Sequence, residues 1–104
     1  MNSRQKGKRG ELEVARFLRD YGFEARRGQQ YAGINGDADV VGFKNFHNEV
    51  KWRENLNVYD AIDQSRRDAK EGEIPIVWWK KNYHDILIII RATDFMKVTE
   101  EYEP

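Results

Sequence analysis

Cysteine is absent from this 104-residue chain, so neither a disulfide nor a thiolate metal site can contribute. Net charge is missing as well: 18 Lys and Arg balance 18 Asp and Glu, and composition alone does not mark a nucleic-acid binder. No long apolar run occurs. The longest, residues 86–90, is far too short to cross a bilayer, and no apolar stretch of a secretion signal follows the basic N-terminus. Internal repeats, low-complexity segments and domain linkers are lacking too. A chain this short has room for one core. The expectation is a single soluble, intracellular domain over residues 1–104, working in the cytoplasm with no membrane partner.

What is present is unevenly distributed. Arg4, Lys6, Lys8 and Arg9 precede the first acid, Arg26 and Arg27 follow the first helical pattern, and Glu100, Glu101 and Glu103 crowd the end. A neutral average therefore conceals a basic face and an acidic one. Residues 1–6 read as a flexible basic arm and 99–104 as an acidic tail. Residues 7–21 have helical periodicity, closed by Gly22 as a glycine stop. Val14, Ala15, Phe17, Leu18 and Tyr21 gather on one side, and Glu11 projects into that apolar sector. A carboxylate there must be neutralised, paired or bound to a metal. Alternatively it is a first-turn acid favoured by the helix dipole.

Residues 23–26 form a candidate strand, and 27–35 (RGQQYAGIN) a loop. Arg27, Gln30 and Tyr31 could touch a phosphate backbone or stack on a base, or the segment is simply a polar connection. Residues 58–71 suit a second helix, with Asn57 as its cap. Val58, Ala61, Ile62, Ser65 and Ala69 supply a narrow core face, flanked by Gln64. Residues 74–79 and 85–90 are near-continuous apolar runs, as in strands covered on both faces. A last helix over 91–98, capped by Thr93, completes an α-β-β-β-α-β-β-α order. Trp78, Trp79 and the 86–90 run are rich for so small a domain. They either face a partner subunit or fill the core.

The stretch GDADVVGFKNFHNEVKW, residues 36–52, reads as a β-hairpin turning near Lys44 and Asn45. Strand side chains alternate between faces, so Asp37, Asp39, Val41 and Phe43 share one face and Ala38, Val40 and Gly42 the other. Glu49 and Lys51 point together, opposite to Val50 and Trp52. Antiparallel pairing lets carboxylates from both strands converge beside one ammonium, an oxygen-rich set that suits a hard divalent cation. Mg²⁺ or Mn²⁺ held there polarises a phosphoryl oxygen and acidifies bound water, which is what phosphodiester hydrolysis requires. The alternative is a cross-strand charge pattern on a solvent face.

The order and motifs resemble the PD-(D/E)XK nuclease superfamily, and within it the Holliday-junction resolvases of archaeal and phage type, from about residue 6 to residue 90. GELEVARFLRDYGF is similar to the family's first helix, DVVGF to its Asp-Ile-Val-Ala strand and EVK to its Glu-x-Lys. The residue before Asp39 is Ala38 rather than the proline of the superfamily's name. RGQQYAGIN has no clear counterpart of the serine-containing loop common in archaeal members.

The resemblance implies an α/β fold with a restriction-endonuclease-like core, α-β-β-β-α-β in order, with a central mixed sheet flanked by helices. It implies a Mg²⁺- or Mn²⁺-dependent endonuclease resolving four-way junctions. Asp39, Glu49 and the Val50 carbonyl would hold metal, Glu11 would complete the shell, and Lys51 would position the attacking water. Asp37 is a second candidate acid and Gln64 an accessory. Lys6, Lys8, Arg9, Arg26 and Arg27, with Gln30 and Tyr31, would contact branched DNA, and two symmetric cuts imply a homodimer. Competing readings are a nuclease of the same fold acting on flapped, nicked or single-stranded DNA, a non-catalytic nucleic-acid-binding module, and a purely structural α/β domain.

Overall fold

The computed structural model describes residues 3–29, 38–43 and 45–100. Asp37, Gln30 and Tyr31 lie outside the described residues, as do the acidic residues Glu101 and Glu103. The element order is α1 (Ser3–Asp20), β1 (Arg26–Arg27), β2 (Val40–Val41), β3 (Phe46–Trp52), α2 (Val58–Asp68), β4 (Ile74–Lys80), β5 (Leu87–Ile90) and α3 (Ala92–Thr99). This is the expected order. The strands form one five-stranded mixed sheet in chain order, β1-β2-β3-β4-β5. Only β3 and β4 run parallel, with Phe46 opposite Ile74 and Trp52 opposite Lys80; the other neighbours are antiparallel. A parallel pair needs a crossover, and α2 supplies it.

Helix α1 covers one face. Val14, Ala15 and Leu18 pack with Val40, Val50, Ile76 and Trp78, each large aliphatic contributing about 1.5–3 kcal/mol by burial. Gly10 permits this approach, because a Cβ there would come within 3.2 Å of the Trp52 Cβ. Helix α2 covers the other face through Ala61 and Ile62 against Val77, with Leu56 and Ile89 alongside. Its Ser65 hydroxyl donates to the Ile76 carbonyl at 3.0 Å. As anticipated, Asn57 caps this helix, accepting from the Asp60 N–H at 3.1 Å.

Several boundaries differ from the sequence reading. Helix α1 starts at Ser3, so residues 3–6 are not an arm; Gln5 and Lys6 are good helix formers that carry it through Gly7. The first strand is Arg26–Arg27 rather than 23–26, since its partners Val41 and Val40 lie opposite those two residues. Helix α2 stops at Asp68, not 71, because Ala69 turns extended and the Glu73 carboxylate accepts from the Lys70 N–H at 2.7 Å. Arg91, not Thr93, occupies the N-cap of α3, without a side-chain cap bond; its guanidinium instead pairs with buried Asp94 at 2.8 Å. Tyr21 and Phe17 sit at the exposed margin of the α1 stripe.

Two departures matter more. Strand β2 is only two residues long, and Gly42 has a φ of 96°, so the alternation breaks there. Phe43 swings onto the α1 face, stacking on Phe46 at 4.6 Å between ring centroids, and does not share a face with Asp39. Strand β5 is not covered on both sides: Leu87 is 54% and Ile88 49% exposed, because β5 ends the sheet. Trp78 is core, whereas Trp79 is half-buried and donates its indole N–H to the Arg53 carbonyl at 2.9 Å.

Candidate functional site

The site lies where β2 and β3 part. Their pairing is registered at Val40 opposite Asn48. Past that rung the Val50 N–H would lack a strand partner, and the Asp39 carboxylate takes the place of one, accepting from it at 2.8 Å. The Asp39 carbonyl is fixed in turn by the Gly28 N–H at 2.9 Å. Asn48, facing α1, is satisfied within the core: it accepts from the Trp78 indole at 3.0 Å and donates to the Val40 carbonyl at 3.2 Å. Strand parity then turns Glu49 and Lys51 away from α1.

One open cavity of about 640 Å³ collects Glu11, Asp39, Glu49, Val50, Lys51 and Gln64, with Lys6 at its margin. The residues proposed from the hairpin, the first helix and the second helix therefore meet. Glu11 is held by Arg27, whose Nε lies 2.6 Å from the Glu11 carboxylate. Arg27, expected to reach phosphates, is thus engaged with the site itself. Lys8 and Arg26 are exposed. Lys6 and Arg9 stand together beside Trp52.

Burial, first, and the neighbouring Glu49 charge push Asp39 up to about 7, against the Val50 N–H, which favours its anion; Glu11 adds to the rise. Glu49 moves the other way. Burial alone would raise it, but hydrogen bonds with His47 and Asp39, the His47 charge and Lys51 hold it below the usual carboxylate range. The pair has room for one full negative charge more easily than for two. A cation set between the two carboxylates would relieve that repulsion. Carboxylate oxygens and a backbone carbonyl are the ligands that Mg²⁺ and Mn²⁺ prefer, so the donor set fits such an ion.

His47 was not singled out from the sequence. It is 5% exposed, and its Nε2 lies 2.9 Å from the Glu49 carboxylate, its Nδ1 3.8 Å from that of Glu73. Burial works to lower its pKa, but the bond to Glu49 and the charges of Glu49, Glu73 and Asp68 raise it. His47, Glu49 and Asp68 bring potential metal-ligand atoms within 4.8 Å of one another. The signal was its place two residues before Glu49, on the same strand face; nothing local shows that α2 and β4 will bring Asp68 and Glu73 to it. No helix among the described residues is long and apolar enough to cross a membrane.

No protein-family model matches the chain, and a search of the curated proteins finds no match. Among solved structures, the chain is similar to Hjc of Archaeoglobus fulgidus, a Holliday junction resolvase from an archaeal hyperthermophile. The TM-score is 0.54 and the identity 21%, over 81% of this chain and 76% of that one. The five-stranded mixed sheet flanked by helices is therefore the restriction-endonuclease-like α/β fold that Hjc also has.

Proposed function

We propose that this chain is a divalent-metal-dependent DNA endonuclease that cuts branched DNA, four-way junctions in particular. The observation that carries the reading is the meeting of Asp39, Glu49, Lys51 and Glu11 around one cavity, on a fold similar to that of a Holliday junction resolvase. Asp39, Glu49 and the Val50 carbonyl would hold Mg²⁺ or Mn²⁺, with Glu11 completing the shell directly or through water. When bound, the ion acts as a Lewis acid on the phosphate and lowers the pKa of water. Lys51, on the same strand face as Glu49, orients the attacking water and stabilises charge that develops on the phosphate. Arg27 fixes Glu11, and Gln64 closes the α2 side. Asp37 remains an additional acid for the same role. Lys6, Lys8, Arg9 and Arg26, with Gln30 and Tyr31, supply contacts to phosphates and bases, which give salt-sensitive affinity without sequence preference.

Resolution of a junction requires two symmetric cuts, so the working species is a two-fold homodimer. Exposed Leu87, Ile88, Phe95 and Met96 offer apolar surface for it. The place of action is the cytoplasm, where branched DNA of the cell or of an infecting phage is processed.

The test is incubation with labelled four-way, flapped and linear DNA in Mg²⁺ or EDTA. Metal-dependent cutting of the four-way substrate is expected. Cutting of flaps alone would leave a nuclease but not a resolvase. Binding without cutting of any substrate would leave a nucleic-acid-binding module.

A further inference from the structure

Beside the carboxylate cavity lies a second one, of about 480 Å³, lined by Lys6, Arg9, Trp52, Lys80, Asn82 and Tyr83. Lys6 and Trp52 line both, so the two are continuous around the Trp52 ring. Three cations and two aromatic rings face a single acid, Glu13. The Arg9 guanidinium carbon stands 5.4 Å and the Lys80 ammonium 5.9 Å from the Trp52 ring centroid.

The Trp52 indole is set in place. Its N–H donates to Asn82 at 3.0 Å, and the Asn82 N–H donates to Glu54 at 3.0 Å. With its one donor engaged, the ring offers only its π surface. Lys80 is held too, donating to the Lys81 carbonyl at 2.8 Å. Tyr83, by contrast, stands wholly exposed at the tip of the β4–β5 turn with a φ of 64°. A backbone conformation that a bulky residue rarely adopts presents that ring to solvent.

Cations beside aromatic platforms, with the Trp52 N–H already engaged, match a nucleic-acid strand whose bases are stacked upon rather than read. We infer that this cavity is a subsite for the DNA strand leaving the carboxylate site: Arg9 and Lys80 hold its phosphates, and Tyr83 stacks on a base left unstacked at the branch. The inference rests on the nuclease reading and names its substrate contact. It gives a reason for preferring branched over linear DNA, since a continuous duplex has no unstacked base to offer.

The experiment measures affinity for a labelled four-way junction and for a blunt duplex of equal length, in EDTA so that nothing is cut. Tyr83→Asn removes the ring but suits the left-handed backbone; it should weaken junction binding roughly tenfold and leave duplex binding unchanged. Tyr83→Phe should bind as the unaltered protein does. Lys80→Gln should lower the slope of log affinity against log salt by about 0.9 on either DNA. Full junction affinity in Tyr83→Asn, or equal losses on both DNAs, would overturn the stacking contact. An unchanged salt slope in Lys80→Gln would overturn the phosphate contact. If the unaltered protein binds neither DNA, in EDTA or with Ca²⁺ in place of Mg²⁺, the nuclease reading falls and takes the subsite with it.

Discussion

Asp39 is pushed up to about 7 by burial and the Glu49 charge, so near neutrality a divalent ion must displace its proton. Metal binding then releases that proton. Calorimetry with Mn²⁺ should show affinity rising about tenfold per pH unit below 7 and levelling above it. The same shift has a consequence for the metal-free protein. A carboxyl with a raised folded pKa stabilises the fold fully below its unfolded value, and that contribution is lost as pH rises through about 7. His47, also raised, acts in the same direction near neutrality. Glu49, lowered, loses its contribution only in acid.

Melting without metal should therefore occur at lower temperature at pH 8 than at pH 5.5. Asp39→Asn should raise the pH 8 midpoint by roughly 5 °C, on the order of 1 kcal/mol, while abolishing stabilisation by Mn²⁺. Lys51→Ala should slow cleavage roughly 10²–10⁴-fold with junction binding kept. Loss of the fold in its melting curve would show the lysine to be structural. His47→Gln tests the buried partner of Glu49: metal affinity should fall about 10–100-fold, read by the same titration.

At the scale of elements, the junction of β2 and β3 governs the site, and Gly42 governs that junction. Its φ is 96°, and a Cβ there would collide with the Glu24 carbonyl. Gly42→Ala should cost about 2–4 kcal/mol in a denaturant melt and weaken metal binding with it. This turn is also where sequence reasoning failed. Alternation placed Phe43 with Asp39, but parity holds only while the strand continues, and β2 ends at Val41. On β3, which does continue, alternation placed Glu49 and Lys51 together and opposite Val50, which packs in the core. The anomaly of Glu11 on an apolar helix face was legible too. Its partner Arg27 was not, because the loop that follows helix α1 gives no measure of where its basic pair returns.

The apolar run of residues 86–90 illustrates what the whole molecule decides. Its composition suits a strand buried on both sides, yet β5 closes the sheet and exposes Leu87 and Ile88. Whether a strand is central or terminal depends on the order of all five. If that edge and α3 join two copies, sedimentation should show a dimer at micromolar concentration, and Ile88→Glu should shift it to monomer while leaving the melting midpoint within about 2 °C. A monomeric unaltered protein would assign the exposed apolar surface some other role.

The strand order offers one more consequence. Because β1 to β5 lie in the sheet as they occur in the chain, each strand can dock on the one made just before it. Only the parallel β3–β4 pair must wait for a helix to close the distance. Synthesis can thus deposit the sheet from one edge to the other, each strand pairing as it emerges. The slow step of folding should be the arrival of β4, the strand that pairs along β3 and fixes the backbone from which its carboxylate projects.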